Sequence, residues 1–323
     1  MSAPVLEVRN LSVHYRIARA GGGQALLRAV EDVSFSVRRG QTLGIVGESG
    51  SGKSSIARAL LRLVPAAGGT AQFRGADLLA LEGAALQQAR RHVQMIFQDP
   101  LASLDPRMTV EDIIAEPLRV FARELNTAQR RSAVLAMMER VGLAAEHLTR
   151  FPHEFSGGQA QRIGIARALI LKPDLVVCDE PLSALDVSIK SQISNLLKDL
   201  QRELGLTLLF ISHDLAAVRF SCDDVLVLYL GRVMELAPRD VLFATPRHPY
   251  TRALLDAVPV PDPAAARARR AALLRGELPS PLAPPSGCVF RTRCPVAEPR
   301  CAALSPEARR IGDTEVACHL AAG

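Results

Sequence analysis

The sequence predicts an α/β fold around a mostly parallel sheet, on three observations. Continuous apolar runs such as "QTLGIVG", "DLVVCDE" and "TLLFISHD" alternate with segments whose apolar residues recur at helical spacing. A glycine-rich loop stands between the first of these runs and a helix-like stretch. The 323 residues are 48% hydrophobic, enough for one large core or two ordinary ones.

Taken in order, "LEVRNLSVHY" and "AVEDVSFSVRRG" alternate apolar and polar residues, as strands buried on one face do. Between them, "RIARAGGGQA" reads as a turn or loop. "QTLGIVG" is a buried strand, and "SSIARALLRLV" is the helix beyond its loop. Over 127–148, Val134, Leu135, Met138 and Val141 recur at helical spacing, which predicts a helical segment. The same period returns in "GQAQRIGIARALI", and the helical "SIKSQISNLLKDLQREL" separates the last two buried strands. From "PRHPY" onward proline rises and periodicity fades, so an appended, turn-rich segment is expected, with "LPSPLAPPSG" extended. Pro249 should hold His248 in an extended conformation.

Composition narrows the function. A formal net charge of +6 favours anions such as nucleotide phosphates, nucleic acid or an acidic membrane surface. Aromatic residues make up 4% of the chain and Trp is missing, which leaves little for base stacking and argues against nucleic acid. No window offers the roughly 18 to 20 apolar residues of a spanning helix. The opening "MSAPVLEVRN" lacks the apolar centre of a signal peptide, so a cytosolic chain is expected. Thiols are kept reduced there, and clustered cysteines then suggest a metal site before disulfides.

The string "GESGSGKSS" fits G-x-x-x-x-G-K-S, with Gly47, Gly52, Lys53 and Ser54 at the defining places. Glu48, Ser49, Gly50, Ser51 and Ser55 complete the loop. Glycines let successive N–H groups turn inward toward phosphate oxygens, and the following helix points its positive end at the anion. Lys53 is expected to neutralise the outer phosphates and Ser54 to hold Mg²⁺. Nucleotide hydrolysis also needs a second metal anchor and an activated water. "LVVCDEP" supplies Asp179 at the end of a buried strand and Glu180 directly after it.

Between these elements lies "FSGGQAQR", and here the sequence resembles the ATP-binding subunits of ABC transporters. Ser156, Gly157, Gly158 and Gln159 match that family's signature loop. "IFQDP" looks like its Q-loop with Gln98, "SALD" like the D-loop ending at Asp186, and "ISHDL" like the switch carrying His213. Tyr15 is placed where the family stacks an aromatic ring on adenine. The resemblance spans residues 5 to 260. It implies a P-loop ATPase core with an antiparallel β-subdomain and a helical subdomain at about 99–160, within an ATPase domain of 1–245. A cysteine-containing extension would occupy 246–323.

The resemblance further implies that two ATPase domains pack head to tail, so that Ser156 and Gly158 complete a partner's site. ATP would close this dimer and hydrolysis would open it. Glu180 would polarise the attacking water, His213 would hold the γ-phosphate, and Gln98 would sense Mg²⁺. Two departures stand out: Phe155 replaces the usual Leu, and Ala160 replaces a frequent Arg, which is expected to remove a charge near the interface.

"QDPLASLDPRMTV", "RFPHEFSGGQ", "SALDVSI" and "PRHPYTRALL" resemble the branch that powers bacterial dipeptide and oligopeptide import. That branch implies a second, homologous ATPase chain, two permease subunits and a separate substrate-binding protein. It places the chain on the cytoplasmic face of the inner membrane. Nickel or glutathione import is the alternative substrate class within the branch. A soluble ABC ATPase is the rival outside it, disfavoured by the lack of sustained heptads and by the single phosphate loop.

Cys178 and Cys222 fall in apolar surroundings and are expected to be structural. Cys288, Cys294, Cys301 and Cys318 follow the intervals C-x5-C-x6-C-x16-C. A zinc site more often shows a pair two to four residues apart, and a 4Fe-4S cluster tolerates these intervals. The peptide branch carries a similar cysteine module. The expectation is therefore a 4Fe-4S cluster, with Zn²⁺ as the alternative, and Arg291, Arg293 and Arg300 offsetting its negative charge. Metal binding would then supply the folding free energy of a tail with little apolar periodicity.

Overall fold

A computed structural model describes residues 4–18, 22–257 and 276–321. Residues 19–21 of the expected glycine-rich loop and 258–275 of the expected extension lie outside these. Along the chain run β1 (Leu6–Ala18), β2 (Gln24–Val37), β3 (Thr42–Val46), α1 (Lys53–Leu60), β4 (Gly68–Phe73), β5 (Ala76–Asp77), α2 (Gly83–His92) and β6 (Val93–Ile96). Next come α3 (Val110–Phe121), α4 (Thr127–Arg140), α5 (Gly157–Leu169), β7 (Leu175–Asp179), α6 (Val187–Leu204), β8 (Thr207–Ile211) and α7 (Leu215–Ser221). The chain continues through β9 (Asp224–Tyr229), β10 (Arg232–Pro238), α8 (Arg239–Ala244) and α9 (Pro249–Asp256). It ends with α10 (Pro299–Ala303), β11 (Arg309–Ile311) and β12 (Thr314–Val316).

These elements form two compact units, each built from separate stretches of chain. One consists of residues 4–5, 37–42 and 80–212. In it β7 pairs in parallel with β6 on one side and β8 on the other. Every residue of β7 and β8 is buried, as their unbroken apolar runs predict. Helices α3, α4, α5 and α6 belong to the same unit.

Helix α4 begins with a capping box, Asn126 and Gln129 each bonding the other's backbone N–H at 2.9 Å. It stops at Arg140, whereas helical spacing predicted a segment to Leu148. Gly142 takes φ +71°, its N–H bonds Glu139 O at 3.0 Å, and Leu143 N–H bonds Met138 O at 2.8 Å. That Schellman motif ends the helix, and the remaining apolar residues include one 3₁₀ turn, Ala145–Thr149.

The other unit comprises the described residues of 6–36, 43–79 and 213–321. One of its sheets has the order β2-β1-β4-β5, with β1 antiparallel to β4 and β4 to β5. The burial alternation of β1 shifts from Leu6 and Val8 to Leu11 and Val13, because Asn10 at φ +52° introduces a register shift. A second run has the order β11-β12-β10-β9-β3. There β3 and β9 are parallel, and the remaining pairs are antiparallel.

The C-terminal stretch is more ordered than its composition suggests. "PYTRALLD" forms α9, with extended His248 as its N-cap and Pro249 at its first position. The His248 Nδ1 accepts the Tyr250 N–H at 3.0 Å. Strand β12 joins β10 through the register Glu235↔Val316. "LPSPLAPPSG" forms turns and irregular chain, which matches the expected turns and shows no strand.

Candidate functional site

The phosphate-loop residues hang between β3 and α1. Three glycines, Gly47, Gly50 and Gly52, adopt φ of +154°, +79° and +105°. A Cβ on Gly47 would stand 2.1 Å from Leu228 O, and one on Gly52 would stand 2.2 Å from Ala29 O. Only glycine fits at these two positions. Gly231 N–H bonds Ser51 O at 2.9 Å and fixes the loop from β10's leading turn.

Lys53 is 4% exposed, and its ammonium donates to Gly47 O at 2.8 Å and Glu48 O at 3.0 Å. The cation is thereby held across the mouth of its own loop. Tyr15 reaches the same place from β1, its hydroxyl donating to Ser55 Oγ at 3.2 Å. His213 lines a cavity of about 260 Å³ together with Val46, Gly47, Asp214 and Leu254. Ser49 and Ser54 complete the loop region in this unit.

Asp179, Glu180 and Gln98 lie in the unit containing β7. Asp179 ends that strand and is 4% exposed. Glu180 takes φ +46°, a conformation that costs a non-glycine residue energy. Its N–H bonds Ile211 O at 3.0 Å, and its carbonyl accepts from Ser183 N–H and Oγ at 3.1 and 3.0 Å. Its carboxylate accepts from the Gln98 amide at 3.2 Å. Cys178 is fully buried, and desolvation pushes its thiol up to about 12, in keeping with a structural role.

The "SGGQ" loop caps α5. Ser156 Oγ accepts the Gln159 N–H at 3.4 Å, and the Gln159 side chain accepts the Ser156 N–H at 3.1 Å. Ser156 is exposed, while Gly158 is buried against α6, where an added Cβ would stand 2.6 Å from Ile189 Cγ2. Asp186 is the N-cap of α6. Phe155 is 8% exposed and meets the His147 ring edge-on at 5.3 Å, so it serves as the apolar anchor its position requires. Ala160 is fully buried. Arg167, absent from the expected residues, donates to Ser103 O at 2.7 Å and lies over the Phe97 ring at 5.7 Å. It thus ties α5 to the segment around Gln98. Its only sequence signal was a place on a helix.

The expected iron–sulfur or zinc centre at Cys288, Cys294, Cys301 and Cys318 is not borne out. Among the described residues, no group of three or more His, Cys, Asp or Glu side chains is arranged to hold a metal ion. All four cysteines are free thiols, and burial pushes those of Cys288 and Cys294 upward. Packing anchors the tail instead. Phe290 is fully buried, with its ring 5.2 Å from Tyr250, 5.3 Å from Tyr229 and 5.8 Å from His248. The arginines do not serve a cluster either: Arg291 donates to Ser286 O, Arg300 to His319 O, and Arg293 to the Glu48 carboxylate.

No described helix is long and apolar enough to cross a membrane. Among known families, the sequence profile of ABC transporters matches residues 30–183. That of the oligopeptide/dipeptide transporter C-terminal region matches 234–301. The oligopeptide transport ATP-binding protein OppF of Salmonella typhimurium is 54% identical over 94% of this chain and 92% of its own length. OppF of Haemophilus influenzae is 52% identical over 94% and 92%. Among solved structures, the ATP-binding cassette MJ0796, dimeric and bound to ADP and Pi, matches with TM-score 0.65 and 27% identity over 72% of this chain and 98% of that one. The cbiO1 protein of Clostridium perfringens, part of the transporter complex cbiONQ, matches with TM-score 0.65 and 26% identity over 76% and 92%.

Proposed function

Because the chain belongs to the ABC transporter family, as an ATP-binding subunit of its oligopeptide branch, we infer that it is the ATP-hydrolysing motor of a peptide importer. One observation supports this most directly: Lys53 is held by the Gly47 and Glu48 carbonyls in a loop whose Gly47 and Gly52 admit no side chain. An ammonium fixed in a glycine-constrained loop that leads into a helix N-terminus suits a polyphosphate.

In this reading Gly47–Ser55 cradle the ATP phosphates and Tyr15 faces the adenine. Ser54 in its unit, and Asp179 and Gln98 in theirs, each carry an oxygen donor of the hard kind that suits Mg²⁺. The ion would offset charge on the phosphate oxygens. Glu180 accepts a proton from the attacking water, and Gln98, bonded to it, links that carboxylate to the segment leading into α3. His213, beside Gly47 in one cavity, orients the terminal phosphate.

Ser156, Gly157, Gly158 and Gln159 act on a second ATPase chain's nucleotide. Their capping box exposes Ser156 at the positive end of a 13-residue helix, a suitable place for a γ-phosphate. Asp186 and Val187 lie on the same dimer face, and Val187 is 82% exposed. ATP then closes the two chains and hydrolysis opens them. The partner is a homologous ATPase chain, and two permeases with a substrate-binding protein complete the importer. Residues 1–245 form the motor, with its helical part at about 99–160, and 246–323 form the extension. The chain sits peripherally on the cytoplasmic face of the membrane.

Co-purification tests the assignment. Extracted in mild detergent, the native chain should bring integral membrane proteins with it. Recovery on ribosomes or DNA would refute the transport role.

A further inference from the structure

Glu48, the second residue of the phosphate loop, is held at three of its groups. Its N–H donates to the buried Tyr250 hydroxyl at 3.0 Å. Its carbonyl accepts from Lys53 Nζ at 3.0 Å and from Ser51 N–H at 3.1 Å. Its carboxylate receives a two-pronged contact from Arg293, Nη1 to Oε2 at 2.6 Å and Nη2 to Oε1 at 3.0 Å. Arg293 stands 245 residues away in the C-terminal tail.

This pair differs from an exposed surface bridge. Arg293 is 9% exposed, and its guanidinium lies over the Tyr229 ring at 5.9 Å. Its bonds to Glu48 are the main cause of an upward shift in its pKa, so the cation is strongly favoured there. The planar fork also fixes direction, since both guanidinium nitrogens must meet both carboxylate oxygens. Phe290, three residues earlier, is locked among Tyr229, Tyr250 and His248, so the arginine's backbone is anchored.

We propose that Arg293 is a positioning residue for the nucleotide site, through which the C-terminal tail sets the conformation of the phosphate loop. The chain of contacts runs from Phe290 and Arg293 to Glu48, and from the Glu48 carbonyl to the ammonium of Lys53. Loosening the fork frees Glu48 to turn. The Glu48 carbonyl then no longer holds Lys53 where a phosphate would meet it. Coupling of this kind is reciprocal, so bound nucleotide also tightens the tail. The proposal rests on the reading of Gly47–Ser55 as the ATP loop.

The test measures Mg-ATP affinity and steady-state hydrolysis on the full chain. Arg293→Gln and Glu48→Gln should each raise Kd and KM for ATP about tenfold, a coupling of usual size, and in Arg293→Gln kcat should stay within about threefold. The double variant should be no weaker than the weaker single, because both break one contact. Arg293→Lys, which keeps the charge without the fork, should fall between. Hydrogen exchange over 288–301 should slow on ATP binding in the wild type and not in Glu48→Gln. Wild-type KM in folded variants, or additive losses, would overturn the proposal, as would a lower melting temperature with unchanged ATP affinity. If Arg293→Gln fails to fold, Arg293→Lys and Glu48→Gln decide. Lys53→Ala separates the two levels: undiminished ATP binding there refutes the loop assignment itself, and the proposal with it.

Discussion

The Gln98 amide donates to the Glu180 carboxylate at 3.2 Å, joining the residue that follows β7 to the segment that follows β6. Glu180 is held in the left-handed region while its N–H bonds Ile211 O. Such an arrangement suits a carboxylate that must face one direction. Glu180→Gln removes the proton acceptor and preserves the shape. It should retain ATP and lose turnover by on the order of 10²- to 10⁴-fold, the usual weight of a general base. Phosphate release set beside equilibrium ATP binding distinguishes the two effects.

Two glycines of the phosphate loop should respond differently to one methyl group. Gly52→Ala meets Ala29 O at 2.2 Å and keeps φ +105°, so ATP affinity should be lost along with about 2 kcal/mol or more of stability. Gly50 has φ +79° but nothing within 4 Å of an added Cβ, so Gly50→Ala should cost only about 1 kcal/mol. Denaturant unfolding of both variants provides the comparison.

The exposed cap of α5 bears on the dimer. In a Glu180→Gln chain, ATP should produce a closed dimer by size exclusion, and adding Ser156→Arg should return it to the monomer. A dimer that survives the arginine would mean that the "SGGQ" loop does not face the partner's nucleotide.

Burial lowers the His248 pKa to about 3 from an ordinary value near 6.5. The unfolded chain therefore takes up a proton that the folded chain refuses. Stability is full above pH 6.5 and falls as pH drops from 6.5 toward 3, by about 1.4 kcal/mol per unit. Calorimetry between pH 8 and 5 should show this slope, with about 2 kcal/mol lost at pH 5. His248→Asn keeps a capping side chain and should remove the slope.

Much of this was legible from residue types and spacing. "QTLGIVGESGSGKSS" announces strand, loop and helix because glycine, lysine and serine each have one structural reason to stand where they do. The runs "LVVC" and "LLFI" are apolar throughout because β7 and β8 are buried at every position. Helix α4 was read too long, since apolar spacing carries no sign of the positive φ at Gly142. Strands β11 and β12 have three residues each, too few for any period to show. The four late cysteines suggested a metal because sequence spacing cannot tell a ligand shell from thiols packed against neighbours. The fork between Arg293 and Glu48 joins residues too far apart for any local pattern to reveal it.

Peptide-stimulated ATP hydrolysis by the chain, assembled with its membrane subunits in lipid vesicles, tests the central claim most directly. The wild-type complex should release phosphate faster when peptide and its binding protein are supplied. The same complex built with Glu180→Gln should release almost none while still binding ATP. Hydrolysis at the wild-type rate by Glu180→Gln, or a rate indifferent to peptide in the intact complex, would contradict a peptide-import motor driven from this site.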